Sequence, residues 1–141
     1  MILDYFLVVC SVIVYIENRI KTDVQYIELE KVTGFSLAHI RDIFIQKIGK
    51  SLSRYILERK IHNAAFDISH TKNSLLAIAE KYGFKNPDTF TRAFKRVIGI
   101  TPSKFRKMKI PVGRIKLCAG VYGVGFMPNE IKNMKGLETY E

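Results

Sequence analysis

Ile40 and Phe90, Phe44 and Phe94, and Gly49 and Gly99 each lie 50 residues apart. Around them run two stretches of one design, "VTGFSLAHIRDIFIQKIG" from Val32 to Gly49 and "KYGFKNPDTFTRAFKRVIG" from Lys81 to Gly99. Their turns, Gly34-Phe35 and Gly83-Phe84, match at an offset of 49, so the second copy carries one extra residue after its turn. Each copy reads as a short helix, a turn holding glycine, and a second helix with an apolar stripe. That is the layout of a helix-turn-helix. A two-helix unit cannot bury its own stripe, so neighbouring helices must complete a core for each copy.

The rest of the chain supplies those helices. Tyr5, Val8, Val9, Val12, Ile13, Ile16 and Ile20 fall at three- and four-residue steps, which predicts a first helix over roughly Asp4 to Lys21. A second fits Ile27 to Val32, and Gly34 follows as a turn residue able to take positive φ. Ser36 caps a third, Leu37 to Lys47, ended by Gly49. Ser51 opens a fourth that runs to about Ser69. Asn73 is read as the cap of a fifth, Ser74 to Tyr82. Asn86-Pro87 places an N-cap and a first-turn proline at the start of the sixth, with Asp88 in its first turn and Gly99 at its end. Thr101-Pro102 repeats the device for a seventh, to about Met108. After Pro111 glycine recurs every few residues between short β-favouring runs, which predicts a strand-like or irregular tail. The expected fold is all-α: two helix-turn-helix subdomains joined by a long linker helix, about seven helices, with a short Gly-rich C-terminal tail. The expected divisions are 1–50 and 71–108 for the subdomains, 51–70 for the linker helix and 109–141 for the tail.

An apolar fraction of 48% is ample for a core. The net charge of +10 favours a polyanionic partner, nucleic acid before an acidic membrane surface. The charge is also lopsided. Residues 1–35 carry three basic and five acidic side chains, whereas residues 81–109 carry nine basic and one acidic, Asp88. The second segment therefore reads as a binding surface. Cys10 and Cys118 lie far apart with no CxxC, as in reduced thiols of a cytosolic protein, and His39, His62 and His70 are scattered, so no metal site is expected. The apolar N-terminus has Asp4 and no early Lys or Arg, unlike a signal peptide. It is interrupted at Glu17-Asn18-Arg19, short of a membrane span; a mostly buried helix is expected, with no membrane partner. No glycine-rich phosphate loop, nucleophile–base pair or paired acids suggest an enzyme, and no cofactor is implied.

In the sixth helix Phe90, Ala93, Phe94 and Val97 form the core stripe, and Asp88, Thr89, Arg92, Lys95 and Arg96 point elsewhere. A cationic, hydrogen-bonding helix face suits the DNA major groove, where arginine grips guanine through two hydrogen bonds. Arg41, Arg54 and Arg59 are expected on the same side. The fourth helix then acts as a spacer: about 18 residues span roughly 27 Å, against about 34 Å between successive major-groove faces on one side of B-DNA.

"SRYILERKIHNA", followed by "IAEKYGFKNPDTFTRAFKRVIGITPSKFRK", resembles the AraC/XylS family of bacterial transcription regulators. The features that carry the resemblance are Arg59 with Ala64, Ile78-Ala79, Gly83-Phe84, Phe90, Phe94-Lys95, Gly99, Pro102 and Arg106, and it covers about residues 8–108. The layout is similar to the single-domain, MarA-like members. The resemblance implies a monomer, or at most a weak dimer, on double-stranded DNA, with two recognition helices in successive major grooves and RNA polymerase as a candidate protein partner. It implies Thr89, Arg92 and Lys95 as readers in the sixth helix, with Asp88 and Arg96 beside them, and Ala38, Arg41 and Asp42 in the third. Asp42 stands where the family commonly has a base, and Ile45 where a lysine commonly follows the phenylalanine. The first unit then binds weakly, or reads a cytosine amino group through Asp42, or Asp42 pairs with a nearby cation. The tail resembles the opening of an effector-binding domain but is too short for a ligand pocket, as in a lost domain or a fragment. The rival function is a protein-interaction module of the same fold, working through Leu37, Ala38 and Ile45 with little DNA affinity.

Overall fold

The computed structural model describes residues 5–108. Within them lie seven helices and no strand: α1 (Tyr5–Arg19), α2 (Tyr26–Thr33), α3 (Leu37–Ile48), α4 (Leu52–His70), α5 (Leu75–Lys81), α6 (Pro87–Ile98) and α7 (Pro102–Met108). The expected Asp4 start of the first helix, Cys118 and the tail after Pro111 lie outside the described residues.

Most helix starts follow from capping side chains one residue ahead of the helix. Ser36 and Ser51 each accept a hydrogen bond from the backbone N–H three residues on, at His39 and Arg54. Asn86 accepts from the Asp88 N–H at 2.8 Å, with Pro87 in the first turn. Each such cap stabilises its helix by about 1 kcal/mol. The fifth helix corrects the expectation. Its cap is Ser74, which accepts from Ala77 N–H; the Asn73 N–H turns back to the Thr71 hydroxyl and its carbonyl accepts from Arg106, so Asn73 is committed to the preceding loop. α1 also stops at Arg19 rather than Lys21, because the Thr22 N–H and hydroxyl both donate to the Arg19 carbonyl and close the last turn.

Two cores result. The first gathers Val9, Val12, Ile13, Ile16 and Ile20 with Leu29, Ile40, Ile43, Phe44, Leu52, Tyr55 and Ile56. The second gathers Ile61, Ala64, Ala65 and Ile68 with Ile78, Ala79, Tyr82, Phe90, Ala93, Phe94 and Phe105. α4 belongs to both: its N-terminal turns complete the first core and its C-terminal turns found the second. The linker is thus structural, a wall of both cores. Val9, Val12, Ile13 and Ile16 of α1 have the same spacing as Ile61, Ala64, Ala65 and Ile68 of α4, so the second half of α4 does for unit two what α1 does for unit one.

The repeat holds in three dimensions. α3 and α6 are both 12 residues long, start 50 residues apart, and end at Gly49 and Gly99. Phe44 packs edge-on against Tyr55 at 5.3 Å and Phe94 against Phe105 at 5.5 Å, again 50 positions apart. Burying each phenylalanine contributes about 1.5–3 kcal/mol relative to leaving it exposed.

Candidate nucleic-acid interface

α6 divides its residues cleanly. Phe90, Ala93 and Phe94 are buried and Val97 is half-buried against the second core, while Asp88, Thr89, Arg92, Lys95 and Arg96 are all exposed. Positions 88, 92, 95 and 96 recur at three- and four-residue steps and so share one side of the helix. Asp88 sits in the first turn, where a negative charge complements the positive end of the helix.

α3 presents the same geometry with different chemistry. Ile40, Ile43 and Phe44 are buried; Ala38, Arg41, Asp42 and Ile45 are exposed, Ile45 at 49%. Leu37 is half-buried against the first core. Asp42 takes part in none of the ion pairs among the described residues, so the cation-paired alternative finds no support. The Arg41 guanidinium lies over the Tyr26 ring, 5.5 Å from its centroid. Tyr26 is a positioning residue that the sequence reading missed, since nothing local distinguishes it from another helix-start aromatic.

The structure separates cations that hold the fold from cations that face solvent. Arg59 corrects the expectation that it lies on the DNA side. It is buried, and its Nε and Nη2 donate to the Glu17 carboxylate of α1 at 2.5 and 2.8 Å. The Tyr55 hydroxyl donates to the same carboxylate at 3.2 Å. Arg106 donates to the carbonyls of Ile68, Thr71 and Asn73, clamping the end of α4 and the loop after it. Lys81 and the Tyr82 hydroxyl both donate to Asp67, at 2.8 and 2.7 Å. The basic run from residue 81 is therefore only partly a surface for a partner. Lys81 is exposed but committed to Asp67, and Lys85, Arg92, Lys95, Arg96, Lys104 and Lys107 are the exposed members outside the ion pairs of the described residues.

Between the two units, Arg54 of α4 and Arg96 of α6 line one shallow, open depression with Ser51, Ser53 and Leu57. Arg54 pairs with Glu58 at 3.0 Å, and Lys50 bonds the other oxygen of that carboxylate. The Arg54–Glu58 spacing is legible in the sequence as a helical pair; the contribution of Lys50 is not.

Titration follows the same contacts. Burial pulls the Glu58 carboxyl up, but hydrogen bonds and charge from Lys50 and Arg54 outweigh it and hold it below its usual range. Burial opposes the charge on Arg59, and Glu17 more than restores it. Burial, with the acid partners Glu17 and Asp67, pushes the Tyr55 and Tyr82 hydroxyls well up. Burial and then the Arg59 charge hold the His62 imidazole below its ordinary 6.5.

Among the described residues no group of His, Cys, Asp and Glu could hold a metal ion, and no helix is long and apolar enough to cross a membrane. Cys10 is a half-buried free thiol on α1.

Two helix-turn-helix units, built round a shared helix and each exposing its second helix, define a double helix-turn-helix protein. Comparison with known proteins agrees. Residues 29–108 match the family described as a helix-turn-helix domain. The chain is 30% identical to the multiple antibiotic resistance protein MarA of Escherichia coli (strain K12) over 96 residues, 68% of this chain and 76% of MarA. Two solved structures share the fold. One is a transcriptional regulator with an AraC-type DNA-binding domain from Chromobacterium violaceum, with TM-score 0.69, 21% identity, and 74% and 93% of the two chains covered. The other is the DNA-binding domain of AdpA, a global transcriptional factor in complex with target DNA, with TM-score 0.64, 16% identity, and 71% and 90% covered. The chain belongs to the AraC/XylS family and is a sequence-specific DNA-binding transcription regulator.

Proposed function

We propose that the protein docks as a monomer on an asymmetric duplex site, with α3 and α6 in successive major grooves. Subdomains 1–50 and 71–108 each supply one helix, and residues 51–70 join them. The observation that carries the reading is the shared register of α3 and α6 in two units that pack on the same helix, α4. The 19 residues of α4 span about 28 Å at the helical rise, near the roughly 34 Å between groove faces. Thr89, Arg92 and Lys95 read bases on α6, with Asp88 and Arg96 beside them; Ala38, Arg41 and Asp42 occupy the groove on α3. The exposed Lys85, Lys104, Lys107 and Arg54 serve phosphates. The protein acts in the cytoplasm, and RNA polymerase is its proposed protein partner at a promoter.

Selection of bound genomic fragments, followed by footprinting and sizing of the complex, tests this. One chain should protect two groove segments one helical turn apart. Each neutralised phosphate should contribute roughly −0.9 to the slope of log affinity against log salt. Protection of a single segment, a two-chain complex, or a slope near zero would each refute it; the last would favour the interaction module.

A further inference from the structure

Shifting the first unit by 50 residues places Ala38 on Asp88, Asp42 on Arg92, Ile45 on Lys95 and Gln46 on Arg96, because α3 and α6 have the same length and start 50 residues apart. The equivalence that matters is Asp42 with Arg92. Both are exposed and both lie one turn into their helix, on the side away from the buried phenylalanines. The same point of the two recognition helices thus carries a donor-only group in one unit and an acceptor-only group in the other. Asp42 has no cation partner among the described residues, and its neighbour Arg41 is held over Tyr26. The flanking Ala38 and Ile45 add no charge.

An unpaired carboxylate in a groove walled by phosphates is repelled unless it meets a donor. The floor of the major groove offers two: the N4 amino group of cytosine and the N6 amino group of adenine. Adenine places its N7 acceptor beside that amino group, against a carboxylate. Guanine offers only the acceptors O6 and N7, and thymine only O4. Cytosine alone presents a donor with no adjacent acceptor on the same base.

We infer that Asp42 is the specificity-determining residue of the first unit, accepting a hydrogen bond from the N4 amino group of a cytosine. The opposite chemistry of Asp42 and Arg92 makes the two half-sites unlike, so the monomer binds in one orientation. This rests on the two-groove docking proposed above.

The test compares wild type, Asp42→Asn, Asp42→Ala and Arg92→Ala on the selected site and on all its single-base variants. Asp42 is exposed, so melting temperatures should agree. Wild type should lose about 5- to 150-fold in affinity when the cytosine facing α3 is replaced. Asp42→Asn should move the preference at that one position to adenine, since an amide pairs with N6 and N7 together. Asp42→Ala should lose the cytosine preference and gain none. Arg92→Ala should relax a different position, about one helical turn away. If Asp42→Asn binds every duplex more tightly with its preferred bases unchanged, Asp42 is only a repelled bystander and the inference falls. If wild type protects one groove segment alone, it is the docking reading that fails.

Discussion

Removing the charge from Glu17 tests whether the cations of this protein are sorted as described. Arg59 is 9% exposed, and its guanidinium forms two hydrogen bonds to Glu17, at 2.5 and 2.8 Å. Tyr55 donates to the same carboxylate. Glu17→Gln keeps the shape but leaves one acceptor oxygen, a misplaced amide and an unbalanced charge on Arg59. Breaking a buried pair from one side costs about 3–5 kcal/mol. The Glu17 side chain is 28% exposed, so water screens part of the loss and the low end, about 3 kcal/mol, is expected. For a domain of this size that lowers the melting temperature by roughly 10–20 °C. Far-UV circular dichroism during thermal and urea unfolding gives the stability, and a cycle with Arg59→Met isolates the coupling between the two residues. DNA affinity, measured below the lowered melting point, should not rise. The alternative, in which Arg59 serves a phosphate, predicts the reverse: freeing Arg59 from its acid strengthens DNA binding. A Glu17→Gln protein whose stability changes by no more than the roughly 0.5 kcal/mol of an ordinary surface substitution, and which binds random duplex more tightly, would refute the structural role.

Phe94→Ala should destabilise the protein by about 3–5 kcal/mol, because the ring is fully buried between Phe90 and Phe105; hydrogen exchange should show protection lost first in α6 and α7. Arg92→Ala should leave the melting temperature unchanged, lower affinity for the selected site by about 1–3 kcal/mol and relax one base pair; equal losses on every duplex would mark a phosphate clamp instead. His62 gives a pH signature. Its pKa is held below 6.5 in the fold by burial, then by the Arg59 charge, against weaker opposition from Glu58. The unfolded chain therefore binds the proton first as pH falls, so this contribution is whole above about 6.5, declines through it, and levels off below the folded value. The urea midpoint should drop between neutral pH and about pH 5, and less steeply in His62→Gln.

Features that depend on near neighbours along the chain are legible in the order of residues alone. Ser36, Ser51 and Asn86-Pro87 cap their helices through N–H groups two or three residues away, and the stripes of α1, α3 and α6 follow from helical spacing alone. The repeat added a long-range constraint, because two copies of one pattern must fold alike. Tertiary structure decided what sequence spacing leaves degenerate. Arg59, Arg92 and Arg106 read alike as basic side chains in a positive protein. Only packing brings Glu17 to Arg59 across 42 residues and the Asn73 carbonyl to Arg106 across 33, leaving Arg92 exposed. The same clamp moved the start of α5, since Arg106 holds the loop at Asn73 and Ser74 is left to cap. Packing also made α4 the wall of two cores, where its length alone suggested a spacer. A capping bond needs only its own turn of helix. The partner of a charged side chain depends on which helices meet, and that is settled when their apolar faces are buried together.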